Sequence, residues 1–265
     1  MQENYHKVRE AGLGLAAISY DSPAILKAFA SRRNITFPLL SDAESKIIRS
    51  YGILNTSVEQ GSSSYGIPNP GIYVLDPSGK VKAKYFEDDY RERQTAAAIL
   101  LREFGVVPAT PHTSIAAKHL ALSTSESSTE ARMGRHVSLI VDVQLPARVH
   151  VYAPGVQGYI PIDWRQEDTA VARASAVTFP APQTLFLDAI KERVPVFEGD
   201  FRLVREITLG TDKDLASAAD KDGHFKVSGT LRYQACDDEK CFLPETIPLT
   251  WTFHFEPLDR ARAAK

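Results

Sequence analysis

The feature that most constrains the fold is a change of texture part-way along the chain. Up to about residue 104, apolar runs alternate with amphipathic stretches; from residue 131, short strand-like segments follow one another with Pro and Gly between them. Alternating strand and helix signals call for a helix-covered mixed sheet, whereas a run of short strands calls for an antiparallel sandwich. A chain of 265 residues can hold one domain of each kind.

The first half reads in order. Residues 1–11 look like the second half of an amphipathic helix with no cap ahead of it, and residues 12–19 form an apolar run of the kind buried on both faces of a sheet. Ser22 caps a helix that opens with Pro23 and runs to about Arg33. A short strand at Phe37-Pro-Leu-Leu40 follows, then a helix over residues 44–51 capped by Ser41 or Asp42. Residues 52–64 read as a loop. Ile72-Tyr-Val-Leu75, the turn Pro77-Ser-Gly79 and residues 80–86 then make a strand pair, and residues 90–104 make a helix with Ala96, Ala97, Ile99, Leu100 and Phe104 on its apolar face. Residues 106–130, with Val106-Val-Pro-Ala-Thr-Pro-His112 and Ser123-Thr-Ser-Glu-Ser-Ser-Thr129, read as a linker in which the short apolar piece at residues 115–122 is a candidate to pair onto one of the domains. In the second half, strands are expected over residues 136–145, 148–152, 159–162, 170–179, 201–209, 225–236 and 247–255, with a turn or two of helix near 185–193 and a charged, solvated tail at 257–265.

The only cysteines of the chain, Cys236 and Cys241, flank Asp237, Asp238, Glu239 and Lys240, a polar cluster suited to a reversing loop. Residues that flank a short hairpin loop face each other, with Cα atoms about 4.5–5.5 Å apart, inside the range of about 4.4–6.8 Å that a disulfide takes. Three chemistries remain open for the pair. A structural disulfide would close a very short loop and gain little from it. A metal site would need two further ligands, and nothing near the pair supplies them with ligand spacing, His224 and His254 being isolated, so no metal is expected. A redox-active dithiol fits a loop open to a partner thiolate, the acidic neighbours favouring a pair that is attacked over one that attacks. Tyr233 and Tyr152 are aromatics that either line this loop or belong to the core. The net charge of -2 gives no argument for nucleic acid or an anionic membrane as partner, and no apolar run is long enough to make an integral membrane segment. No cofactor is indicated.

Two resemblances sharpen this reading. Ala17-Ile-Ser-Tyr-Asp-Ser-Pro23, Phe37-Pro-Leu-Leu-Ser-Asp42, Tyr51-Gly-Ile53 and Pro70-Gly-Ile-Tyr-Val-Leu-Asp76 resemble the later part of a thioredoxin-fold domain of the alkyl hydroperoxide reductase/thiol-specific antioxidant (AhpC/TSA, peroxiredoxin-like) group. The resemblance implies an incomplete α/β thioredoxin-like domain over residues 1–105, with Pro70 as the fold's cis-proline. That family's reactive cysteine lies at the start of the helix in which Met1 falls as an internal residue, so a start codon placed too far downstream is expected, with a genuine remnant domain as the alternative. Val149-His-Val-Tyr152, Val194-Pro-Val-Phe-Glu-Gly199 and Gly229-Thr-Leu-Arg-Tyr-Gln-Ala-Cys236 through Cys241-Phe-Leu-Pro244 are similar to the N-terminal periplasmic domain of the DsbD family of bacterial thiol:disulfide interchange reductases.

That second similarity implies an all-β immunoglobulin-like sandwich over residues 131–256, with Cys236 and Cys241 as the exchanging, catalytic pair. It places the family's cap loop on residues 194–199, with Phe197 as the candidate shielding ring and a plain core position as the alternative for it. It also implies a thioredoxin-like or membrane-reductase partner and a periplasmic or other extracytoplasmic setting, with the cytoplasm as the alternative. Together the resemblances suggest an oxidoreductase acting on thiol and disulfide groups. The alternatives are an antioxidant peroxidase of the peroxiredoxin type, with the sandwich as accessory, and a non-enzymatic interaction module held by a structural disulfide.

Overall fold

The computed structural model describes residues 1–257 apart from 63, 88, 90, 108, 109 and 188–190. Nearly all of the charged tail therefore lies outside the described residues. Two compact units divide the chain, Met1–Val106 and a second beginning at Val107.

The first unit runs α1 (Tyr5–Glu10), β1 (Ala17–Ser19), α2 (Pro23–Arg33), β2 (Leu39–Ser41), α3 (Lys46–Ser50), β3 (Gly71–Leu75), β4 (Val81–Phe86), β5 (Arg93–Gln94) and α4 (Ala96–Phe104). Helix α2 starts as its sequence dictates: the Ser22 side chain accepts from the Ile25 amide, Pro23 takes the first position, and Asn34 ends the helix in the left-handed region at φ 51°. The Asp42 carboxylate accepts from the amides of Lys46 and Ile48, satisfying two of the free donors at the start of α3. Strands β1 and β2 pair in parallel, and β3 and β4 pair antiparallel. These are two separate two-stranded sheets, where the sequence suggests one mixed sheet. Gly71 is needed where it stands, because a Cβ there would lie 2.2 Å from the Phe86 ring. No described peptide bond is cis, so Pro70 is an ordinary trans proline and not the cis-proline expected; trans is the default for X–Pro bonds too.

The second unit contains β6 (Thr113–Ile115), β7 (Ala121–Glu126), β8 (Glu130–Ala131), β9 (Arg135–Gln144), β10 (His150–Tyr152), β11 (Asp163–Arg165), β12 (Ala172–Thr178), β13 (Gln183–Leu187), β14 (Glu192–Glu198), β15 (Asp200–Leu209), α5 (Asp212–Ala218), β16 (His224–Tyr233), β17 (Ala235–Cys236) and β18 (Glu245–Phe255). They form three sheets, ordered β12-β15-β9-β7-β6, β11-β16-β18-β8 and β13-β14-β10-β17. All three contribute to one core, which includes Leu139 and Val141 of β9, Leu203 of β15, Val151 of β10, Leu231 of β16 and Trp251 and Phe253 of β18. In β16 and β18 alternate residues are buried, as their period-two patterns require.

The linker expected at residues 106–130 is largely a working part of this unit. β7 pairs along β9 from Ala121↔Gln144 to Glu126↔Leu139. Around it the Ser125 carbonyl accepts from Trp251 Nε1 at 2.9 Å and, just past the strand, Ser127 Oγ accepts from the Ser138 amide, while the buried Ser125 hydroxyl has no partner among the described residues. Of the helical turn expected near 185–193, residues 188–190 lie outside the described residues, and those on either side belong to β13 and β14, which pair antiparallel from Gln183↔Val196 to Leu187↔Glu192.

Candidate functional site

The cysteines sit where one strand passes from sheet to sheet. β16 pairs with β18 as far as Tyr233, and two residues later β17 pairs with β10, with His150 opposite Cys236 and Val151 opposite Ala235. The chain then reverses. Asp237 organises the loop by accepting from the amides of Glu239 and Lys240, and those bonds hold its carboxyl below the usual range. The Asp237 amide donates to the Lys240 carbonyl and the Phe242 amide to the Ala235 carbonyl, which sets Cys236 against Cys241.

The two sulfurs form a disulfide, with Cα atoms 3.9 Å apart, closer than opposed residues in a regular ladder. The pair is strongly asymmetric. Cys236 is 1% exposed, whereas Cys241 lies on the surface. Cys236 belongs to a small cluster with Tyr152, Val194 and Val196, covered by Val156, Tyr159, Leu185 and Leu187. The Tyr152 hydroxyl lies 3.9 Å from Cys241 Sγ, and Tyr159 stacks on Tyr152 at 4.3 Å. Burial raises the Tyr152 hydroxyl's pKa, with Tyr159 and Glu192 adding to it, so it stays protonated beside the sulfur. On the outer side, Arg148 pairs with Asp238, and Phe242 stacks on His119 at 3.7 Å with Lys240 over its ring. Leu243 projects into solvent at 88% exposure.

The other predicted site residues separate. Tyr152 lines the site. Tyr233 is core: its hydroxyl lies 2.6 Å from Glu245 Oε2 and 2.8 Å from the Lys118 carbonyl, and that bond draws the Glu245 carboxyl down to about 2. Phe197 is not a cap. Residues 194–198 belong to the regular strand β14, and along it Val194 and Val196 face the disulfide while Phe197 faces the main core, stacked against Phe179 and Phe201. Phe197 thus takes the core alternative, because neighbouring residues of a strand point to opposite faces. The aromatic cover belongs to Tyr152 and Tyr159. His224 and His254, isolated in sequence, are opposite each other across β16 and β18 with ring centroids 5.2 Å apart, at the end of that hairpin remote from the cysteines.

His150 is the site residue that sequence reasoning missed. It is buried, its ring meets Tyr152 edge-on at 5.3 Å, and its Nε2 has no hydrogen-bond partner among the described residues. The available signal was its position two residues before Tyr152, which puts both on one face of a strand.

The comparisons with known proteins agree with this two-part layout. Residues 1–84 match the family model of the AhpC/TSA family, and residues 119–250 match that of the N-terminal part of the thiol:disulfide interchange protein DsbD. The chain thus joins a peroxiredoxin-like stretch to a stretch like the N-terminal domain of DsbD. The chloroplastic peroxiredoxin Q of Gentiana triflora is 34% identical over 85 residues, 32% of this chain and 36% of that protein. Peroxiredoxin Bcp of Escherichia coli is 26% identical over 91 residues, 34% of this chain and 56% of that protein. The chain therefore spans between 36% and 56% of the length of these curated relatives. Among solved structures, the N-terminal periplasmic domain of ScsB from Proteus mirabilis aligns over 53% of this chain and 49% of its own, at 17% identity and a TM-score of 0.35. The reduced N-terminal domain of DsbD from Neisseria meningitidis aligns over 44% of this chain and 81% of its own, at 14% identity and a TM-score of 0.30. No helix among the described residues is long and apolar enough to cross a membrane.

Proposed function

We propose that this chain is a thiol–disulfide exchange protein whose second unit carries electrons on Cys236 and Cys241. The observation that carries the reading is the unequal exposure of the two sulfurs: Cys241 is open to solvent and Cys236 is buried. A partner thiolate attacks Cys241 Sγ, a mixed disulfide forms there, and the electron pair of the broken bond leaves on Cys236 as thiolate. A second partner thiolate then releases the reduced dithiol, and the same steps reversed pass electrons on. The match of residues 119–250 to the DsbD N-terminal model supports this chemistry, an immunoglobulin-like classification of the second unit, a thioredoxin-like or membrane-reductase partner and a periplasmic setting. The match of residues 1–84 to AhpC/TSA supports a thioredoxin-like first unit.

No residue of the first unit is a cysteine, so peroxide reduction by thiol chemistry has no nucleophile there. Any peroxide turnover by this exact chain would revive the antioxidant-peroxidase reading. The exchange reading is tested by trapping. Cys236→Ser leaves Cys241 exposed and should accumulate mixed disulfides with thioredoxin-like partners, whereas Cys241→Ser should not. Equal yields from both variants, or a reduction potential below about −300 mV, would instead mark the bond as structural.

A further inference from the structure

β10 is the middle strand of its sheet, with Glu198 of β14 opposite His150 on one side and Cys236 of β17 opposite it on the other. Directly opposed residues project from the same face, with Cβ atoms about 4.5–5.5 Å apart. One rung of the sheet therefore lines up a carboxylate, an imidazole and a disulfide sulfur, in that order. Tyr152, two residues along on the same face, is close to the second sulfur.

We infer that His150 is the base that deprotonates the Cys236 thiol during exchange, with Glu198 as the group that orients and supports the imidazole. The inference rests on the exchange reading above. A buried polar nitrogen without a partner is costly and calls for an explanation. In the oxidised protein Cys236 has no proton to share; on reduction it gains an S–H on the residue directly opposite His150, whose Nε2 has no partner among the described residues. Burial lowers the pKa of His150, while Glu198, Asp238 and Asp237, the charged groups facing it, push the other way. The imidazole is therefore neutral near pH 7 and free to accept a proton.

The step balances as follows. With a partner R held on Cys241 as a mixed disulfide, the Cys236 thiol gives its proton to His150. The resulting thiolate attacks Cys241 Sγ, the Cys236–Cys241 bond forms, and R leaves as thiolate with the electron pair of the old bond; the imidazolium then returns its proton to solvent. The arrangement has the nucleophile–base–orienter logic of a catalytic triad, laid across three strands.

The test uses the reduced full chain and 5,5′-dithiobis(2-nitrobenzoate), which marks each stage by release of a coloured thiolate. The first release reports capture on Cys241, the second closure by Cys236. His150→Gln should leave the first rate unchanged, slow the second at least about tenfold and abolish its rise with pH through the imidazole range. Glu198→Gln, on the surface, should keep both releases but move the pH profile of the second to lower pH, since removing the carboxylate makes the imidazole less basic. Two releases with an unchanged second phase in His150→Gln would overturn the role of His150 and leave the exchange reading intact. If His150→Gln does not fold by near-UV circular dichroism, an unshifted profile in Glu198→Gln overturns it instead. A wild-type chain that never gives the second release would defeat the exchange reading itself.

Discussion

Reduction of the disulfide should destabilise the second unit by about 2 kcal/mol. The bond joins residues only five positions apart. In the chain-entropy model, closing a loop of about 5 residues lowers the unfolded state's entropy by about 7 cal/mol/K, or about 2 kcal/mol at 25 °C. Reduction with dithiothreitol is the cleanest perturbation, because it removes the bond without truncating the buried Cys236 side chain. Both tryptophans, Trp164 and Trp251, lie in the second unit and are 1% exposed, so their fluorescence follows that unit alone. With a urea m-value of about 2 kcal/mol/M, the midpoint should fall by about 1 M on reduction, with m unchanged. A loss above about 4 kcal/mol would refute the reasoning, since the bond would then act as a staple well beyond its loop entropy. No shift at all would refute it equally.

Three further outcomes follow from particular residues. Phe197→Ala should cost about 3–5 kcal/mol, as for a buried aromatic in a packed core, while leaving the rate of thiolate attack on Cys241 unchanged; a faster attack would restore Phe197 as a shield. Burial raises the Glu126 carboxyl to about 7, so the native state holds its proton more tightly than the unfolded chain does. Its contribution is complete below about pH 4.5 and is lost as pH rises through 7, so Glu126→Gln should stabilise the protein at pH 8 by about 1–2 kcal/mol, allowing for residual solvent screening, and change little at pH 4; a urea titration at both pH values decides it. The capping box of α5 pairs Thr211 with Asp214, and Thr211→Ala should lower stability by about 1 kcal/mol in the same fluorescence assay; no loss would mean the helix is held by tertiary packing alone.

What the sequence revealed and what it hid follow a common line. Short-range chemistry was legible: Ser22 and Pro23 opening α2, the alternation of β16 and β18, and the reversing loop that brings Cys236 against Cys241. Long-range register was not. Ser123, Thr124 and Ser125 read as spacer because their side chains are polar, yet their backbone forms a strand along β9 and the Ser125 carbonyl meets Trp251. Shield and core were both open for Phe197 because the face of a strand changes with each residue, and only the pairing with β10 fixes which face is which. His150 meets Cys236 across a gap in sequence that no local pattern spans. Thr211 and Asp214 did carry a legible signal for α5, a Thr followed three residues later by an acid, which the strand-dominated texture concealed.

The passage of one strand between two sheets bears on how long a partner can be held. Tyr233 is fixed in one ladder, Cys236 in another, and Glu245 begins β18 just after the loop, so the roots of the loop are anchored independently of the sulfur–sulfur bond. When that bond opens, the two thiols cannot drift apart. Each then meets the other at the high effective molarity of a preorganised intramolecular reaction, which for well-oriented groups reaches about 10⁵ M or more. For the exchange proposed above, the expected consequence is release of a captured partner by ring closure ahead of displacement by solution thiols.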